Sequence, residues 1–156
     1  MSLKYSFKEF DKEHMARAML VSVPIPLKSA IMVGHAIQGK NLQTAKNILT
    51  QVISKKAPIK FTKFNQEQAH RRAIGPGKFP VKTAKYMLKL LKEVEANAQL
   101  AGLDTSSLIV FRVIPKQAPV NPHYGRIRGI SMKRATVEII VKESVDKKKP
   151  SKKSKA

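Results

Sequence analysis

Residues 108–142 read LIVFRVIPKQAPVNPHYGRIRGISMKRATVEIIVK: two strand-like runs separated by a long insert without a pattern of its own. Leu108 to Ile114 is dense in β-branched residues and closes at Pro115. Thr136 to Lys142 places Val137, Ile139 and Val141 on one face and Thr136, Glu138 and Lys142 on the other, so both runs read as strands. Between them, residues 115–135 carry Pro119, Pro122, Gly125 and Gly129 and almost nothing that would build a core. An unpatterned segment of that length is uncommon inside a domain unless it works as a binding element. If the two strands pair antiparallel, the insert projects outward as an arm. Its charges are Lys116, Arg126, Arg128, Lys133 and Arg134, with no carboxylate among them.

Outward from this stretch the apolar spacing turns helical. Pro26 opens a short helix through Leu27, Ile31, Val33 and Ile37 that ends at Gly39. Asn41 then stands as an N-cap before Leu42, Ala45, Ile48, Leu49, Val52 and Ile53, an amphipathic helix stopped by Pro58. Residues 59–74 show no period and read as a long basic connection. Pro80 starts a third helix with a stripe of Val81, Ala84, Leu88, Leu91, Glu95 and Ala98, and Gly102 is its expected stop. At about 100° per residue, Lys82, Lys85, Lys89 and Lys92 fall together on the flank beside that stripe. None has a glutamate four residues before it, so salt-bridging within the helix is not their purpose. Tyr5 to Phe7 is a candidate third strand. The expected architecture is α+β: three helices packed on one face of a small antiparallel sheet, with the long arm at about 115–135. Residues 1–145 form one domain, and the Lys/Ser-rich residues 146–156 are expected to be disordered. That tail reads equally as a basic arm adding phosphate contacts or as an idle end.

The charge balance narrows the partners. Of 156 residues, 31 are Lys or Arg against 10 Asp or Glu, a formal charge of +21. Such self-repulsion is relieved by a polyanion. After Glu13 no acid occurs before Glu67, after Glu67 none before Glu93, and after Asp104 none before Glu138. Three long runs of Lys and Arg therefore lack compensating carboxylates, which points to phosphate-backbone binding. With 42% apolar residues a packed core is available to the chain. No apolar run approaches the roughly 20 residues of a membrane span, and the N-terminus lacks the order of a signal peptide. A basic cytosolic protein without a membrane partner is the expectation.

Several chemistries find no footing. Cysteine is absent, which removes disulfides, thiolate metal sites and thiol nucleophiles. His14, His35, His70 and His123 are scattered, so no metal site is expected. Gly75-Pro76-Gly77-Lys78 only superficially suggests a phosphate loop: His70 stands where a Walker loop needs Gly, and Phe79 where it needs Ser or Thr. It reads instead as a turn before the Pro80 helix. Carboxylates are too rare to supply an acid/base pair, so no catalytic residue, cofactor or small-molecule substrate is expected. Aromatics are 6% with no Trp, which disfavours a sheet-face platform for single strands.

The order and spacing of certain residues resemble a known family. They are Ile25-Pro26-Leu27-Lys28, Ile37-Gln38-Gly39-Lys40, Ala45, Leu49, Pro58, His70-Arg71 and Gly77-Lys78-Phe79-Pro80-Val81-Lys82, then Glu95-Ala96-Asn97-Ala98 before Gly102-Leu103-Asp104, and Arg126-Ile127-Arg128-Gly129. From about His14 to Glu143 the chain is similar to the ribosomal protein twenty-two family of the large subunit, in its archaeal and eukaryotic form. Gln38 and Ile130 stand where that family commonly has Arg, and the arm is shorter than the eukaryotic one. The resemblance implies a structural constituent of the cytoplasmic large subunit, an α/β body bound to large-subunit rRNA beside neighbouring ribosomal proteins. It also implies that the arm is a long extended β-hairpin reaching toward the nascent-polypeptide exit tunnel, with the nascent chain near its tip, and a part in subunit assembly.

The mechanism this suggests is a clamp. Lys28, Lys40, Lys60, His70, Arg71, Arg72, Lys78, Lys82 and Lys85 on the body, with Lys116, Arg126, Arg128, Lys133 and Arg134 on the arm, would neutralise phosphates from RNA segments distant in sequence. Arg126 and Arg128 suit packed RNA, because a guanidinium holds a phosphate bidentately or stacks on a base. Two other classes compete. A DNA-binding helix-turn-helix around Gly39 would present mostly Gln43, Thr44, Lys46, Asn47 and Thr50 and leaves the arm without a role. An RNA-modifying enzyme would need a cofactor loop or acid/base pair that the sequence does not show.

Overall fold

The computed structural model describes residues 4–144. In chain order it holds β1 (Met15–Val23), α1 (Leu27–Ile37), α2 (Leu42–Ile53), β2 (Ile59–Lys60), β3 (His70–Arg71), β4 (Gly75–Lys78), α3 (Val81–Leu100), β5 (Leu108–Gln117), β6 (Asn121–Pro122), a 3-10 turn (Gly125–Ile127), β7 (Ser131–Met132) and β8 (Ala135–Glu143). The tail expected at 146–156 lies outside the described residues.

The TVEIIVK run forms the middle of the main sheet, whose order is β1-β8-β5, antiparallel throughout. Its alternation does what period two requires. Val137, Ile139 and Val141 face the helices and join one apolar cluster with Leu90, Leu91 and Val94 of α3 and Val33 and Ile37 of α1. In register, Ala16 and Val110 flank Val141, while Ala18 and Val113 flank Ile139. The alanines on β1 leave room for α3 to lie close over that side of the sheet.

The third strand is Met15–Val23, not the expected Tyr5–Phe7, which forms no strand. MARAMLVSV carries no β-branched residue before Val21, so local propensity hides it. Pairing with β8 overrides that preference. Residues 5–10 instead cover the second face of the sheet. Ser6 N–H donates to Glu138 Oε2 at 2.9 Å. Phe7 meets Phe111 edge-on with ring centroids 6.0 Å apart, and the Arg17 guanidinium sits 4.0 Å from the Tyr5 ring and 4.1 Å from the Phe10 ring. Beneath this layer Ile140 and Glu138 are buried. Phe111 lies on this side by alternation from Val110, and a bulge between Val110 and Arg112 brings Arg112 to the same side.

The helices follow the apolar spacing closely, with three differences. Asn41 precedes α2 and its carbonyl accepts from Ala45 N–H, but its side chain makes no capping bond. The linker it belongs to lies along β5 instead: Gly39 N–H donates to Val110 O at 2.8 Å, Val110 N–H to Lys40 O at 2.9 Å, and Asn41 bridges Ile109. Gly39 sits at φ +75°, where glycine bears no steric penalty. The buried face of α3 is centred on Thr83, Met87, Leu90, Leu91 and Val94, with Leu88 at its margin. Lys82, Lys85, Lys89 and Lys92 are exposed and lie roughly opposite that face rather than beside it. Lys89 also reaches Glu93, one turn on, at 3.9 Å. Glu95, the polar interruption in the expected stripe, pairs with Lys46 and so ties α3 to α2.

The LIVFRVI strand does not close at Pro115 but runs on to Gln117, opposite Ala135. β5 is an edge strand, where proline is tolerated. The expected arm then continues the ladder. Ala118 N–H donates to Arg134 O, Asn121 pairs with Met132 and Pro122 with Ser131, and His123 N–H donates to Ile130 O. The chain turns over at Gly125, φ +67°.

Candidate nucleic-acid interface

The stretch expected to be a featureless basic connection, together with the GPGK turn, builds a second small sheet of order β2-β4-β3. Lys60 stands opposite Gly77 and Ile59 opposite Lys78, while His70 and Arg71 pair with Pro76 and Gly75. Phe61 N–H donates to Pro76 O and Gly77 N–H to Ala69 O, extending each ladder by one residue. Buried Ile59 and Phe61 root this sheet in the core. At Gly77 the space is tight: a Cβ there would lie 2.8 Å from Ile74 Cδ1 and 3.0 Å from Arg71 Cγ. Arg71 can therefore cross the strand, and its guanidinium lies 5.3 Å from the Phe79 ring. Lys60, His70, Arg71, Arg72 and Lys78 are all exposed on this one unit.

Around it are two clefts. One, of about 690 Å³, is lined by Lys40 from the α1–α2 linker, Lys60 and Lys63, together with His35 on α1. The other, of about 350 Å³, is lined by Arg71, Lys78, Glu67, Gln68 and Phe79. Lys82 and Lys85 follow on the outer face of the first turns of α3. Lys116, Arg126, Arg128 and Lys133 are exposed along the arm, apart from the body's group.

Two expected contacts are engaged within the protein. Lys28, half-buried at the start of α1, donates from Nζ to the Phe64 carbonyl oxygen and lies over the Phe61 and Phe64 rings. Arg134, half-buried at the arm's base, donates from Nη1 to Ser22 O at 3.2 Å and toward Ser22 Oγ at 3.4 Å. It thereby fixes the arm to the bulge between β1 and β8. Arg134→Ala is expected to cost about 1 kcal/mol and to lower the thermal midpoint by roughly 4 °C. Its salt dependence of RNA binding should stay unchanged; a slope that falls as for a lost phosphate contact would reassign it.

Glu67 shares the second cleft with Arg71 and Lys78; other carboxylates lie away from the small sheet. Glu9, Asp11 and Glu13 belong to the N-terminal layer. Glu143 lies 3.8 Å from His14 Nδ1 and accepts from Asp104 N–H at 3.4 Å, at the far end of β8. The Asp104 carboxylate is held below its ordinary range by the Ser106 hydroxyl and backbone N–H. Among the described residues, none of the expected phosphate contacts forms an ion pair with a carboxylate. Nor do three or more His, Asp or Glu side chains gather there as a metal site would require.

Sequence reasoning left out two groups that the fold brings in. Lys63 shares a cleft with Lys40 and Lys60, and its place in an acid-free run was the only sign of it. Phe64, beside it, projects into solvent, and nothing in the sequence marks it.

A small α+β body with unpaired cations on several elements, and a cationic hairpin extending from its main sheet, is the build of a ribosomal protein. Residues 18–142 match the sequence profile of the family described as ribosomal protein L22p/L17e, and the chain belongs to that family. It is 39% identical over 144 residues to the large ribosomal subunit protein uL22 of Picrophilus torridus, covering 90% of this chain and 96% of that protein. The protein of the same name from Thermoplasma volcanium is 39% identical over 138 residues, covering 84% and 92%. That from Archaeoglobus fulgidus is 33% identical over 146 residues, covering 88% and 94%.

Proposed function

We propose that the chain is a structural constituent of the large ribosomal subunit in the cytoplasm, where it clamps segments of large-subunit rRNA and supports assembly. The observation that carries this reading is the set of exposed cations without carboxylate partners on three separate elements: the small sheet, α3 and the arm. Each element neutralises phosphates and releases their counterions. Because the elements are rigidly joined through one core, the RNA segments they hold become fixed relative to one another. Recognition is of backbone shape, since Lys and Arg on phosphates carry no base information. The reading involves no catalytic step and no cofactor.

The arm serves a different neighbour. Its distal part displays Val120, Tyr124, Ile127 and Ile130 among Arg126 and Arg128, with Tyr124 79% exposed. Apolar and guanidinium groups so mixed suit packing between RNA and polypeptide. By likeness to its family, the tip reaches toward the exit tunnel and the nascent chain. Neighbouring ribosomal proteins are the remaining partners.

Replacing Lys82 and Lys85 together by Ala is expected to weaken rRNA binding and make the log–log salt dependence shallower by about 1.5. Filter binding between low and physiological salt measures both quantities. Unchanged affinity and slope would remove these residues from the clamp. Sedimentation tests the reading as a whole: near-complete co-migration with large subunits supports it, and a predominantly free pool contradicts it.

A further inference from the structure

Phe64 combines an exposed ring with a strained backbone. Its residue surface is 84% exposed, and its backbone φ is +50°, where a bulky residue is an outlier. The Lys28 ammonium fastens it there through the Phe64 carbonyl oxygen and lies 5.7 Å from the ring centroid. Strained positions of this kind persist where the surroundings over-determine them, and they concentrate at ligand sites. The ring borders a cleft of about 310 Å³ against α1, lined by Leu27 and Ile31 on its apolar side, by His35 and Thr62 as polar groups, and by Lys28 and Lys63. No carboxylate lines it.

We propose that this cleft takes one unpaired nucleobase of the large-subunit rRNA, stacked on Phe64, with Lys28 and Lys63 on its flanking phosphates. The inference rests on the rRNA-binding reading above and deepens it. Single bases splayed out of a folded RNA are captured in this way, on an aromatic face with polar groups at the base edge. The cationic lining favours a nucleotide over an apolar side chain of another protein, which would cover two ammonium groups without pairing them. Lys28 keeps donors to spare, because an ammonium has three. One ring accommodates one base, so a chain poor in aromatics is no obstacle.

The absence of tryptophan supplies the probe. In the full-length chain Phe64→Trp gives a lone indole at an exposed position, read while transcribed large-subunit rRNA is titrated in. The expected result is emission quenched by more than half on binding, with protection from acrylamide. Phe64→Ala and Phe64→Leu should each bind about tenfold more weakly with the salt slope unchanged, while Phe64→Tyr and Phe64→Trp stay near the parent. Because the ring is exposed, all four should keep the parent's circular dichroism and thermal midpoint. Normal rRNA binding with silent indole emission and unaltered Ala and Leu affinities overturns this inference alone. A brighter, blue-shifted emission seen only in assembled subunits overturns it in favour of a protein contact. No rRNA binding by the parent at low salt overturns the broader reading, and this one with it.

Discussion

Neutralising Lys60, Arg71, Arg72 and Lys78 together is expected to lower the affinity for large-subunit rRNA by about two orders of magnitude near 0.15 M salt, and to make the log–log salt slope shallower by about 3. The four side chains are exposed on one unit, so their phosphate contacts act together. Two orders of magnitude over four contacts is about 0.7 kcal/mol each, a modest figure for a cation meeting a polyanion. The small sheet should survive the change. It is held by backbone pairing and by buried Ile59 and Phe61, neither of which involves the four charges. Circular dichroism and thermal midpoint should therefore match the parent. Competition binding at several salt concentrations checks the prediction, and a loss under threefold would show that the clamp lies on α3 and the arm instead.

Removing residues 1–13 is expected to destabilise the fold by about 2–3 kcal/mol and to lower the thermal midpoint by on the order of 8 °C. Ile140 would lose its cover, Phe111 its edge-on partner Phe7, and Arg17 the rings of Tyr5 and Phe10. Burial of one large aliphatic side chain contributes about 2 kcal/mol. Glu138 would lose the Ser6 N–H bond, but water would then reach both its oxygens, including Oε1, which is buried without a partner among the described residues. That hydration offsets part of the loss, as does the conformational entropy of a segment no longer ordered. Calorimetry of the shortened chain measures the difference. An unchanged midpoint would mean that this layer does not hold the sheet in solution.

Much of this architecture is legible where one rule acts alone. The alternation of Val137, Ile139 and Val141, the spacing through Leu42, Ala45, Leu49 and Val52, and the proline and glycine marks in residues 115–135 each point to the element that forms. β1 is hidden because Met, Ala and Leu favour a helix locally while the strand is stabilised by its partner β8. The small sheet is hidden because two-residue strands are too short to show a period. In α3, Thr83 and Met87 rather than Leu88 lie at the centre of the packed face, a rotation that only the neighbours of the helix determine. The cations divide for a similar reason. Lys60 and Arg72 stay exposed, whereas Lys28 and Arg134 find oxygens at Phe64 and Ser22, residues distant in the chain. Composition cannot distinguish these cases, because the side chains are chemically the same.

The strip formed by Gly39, Lys40 and Asn41 along β5 bears on life before assembly. An uncovered strand margin offers free amide and carbonyl groups to any second chain and seeds sheet-to-sheet association. Here the margin near Val110 is already occupied by the molecule's own linker. A newly synthesised copy awaiting its RNA is thus blocked at this position from polymerising through its largest sheet, while its outward-facing positive charge remains available for docking.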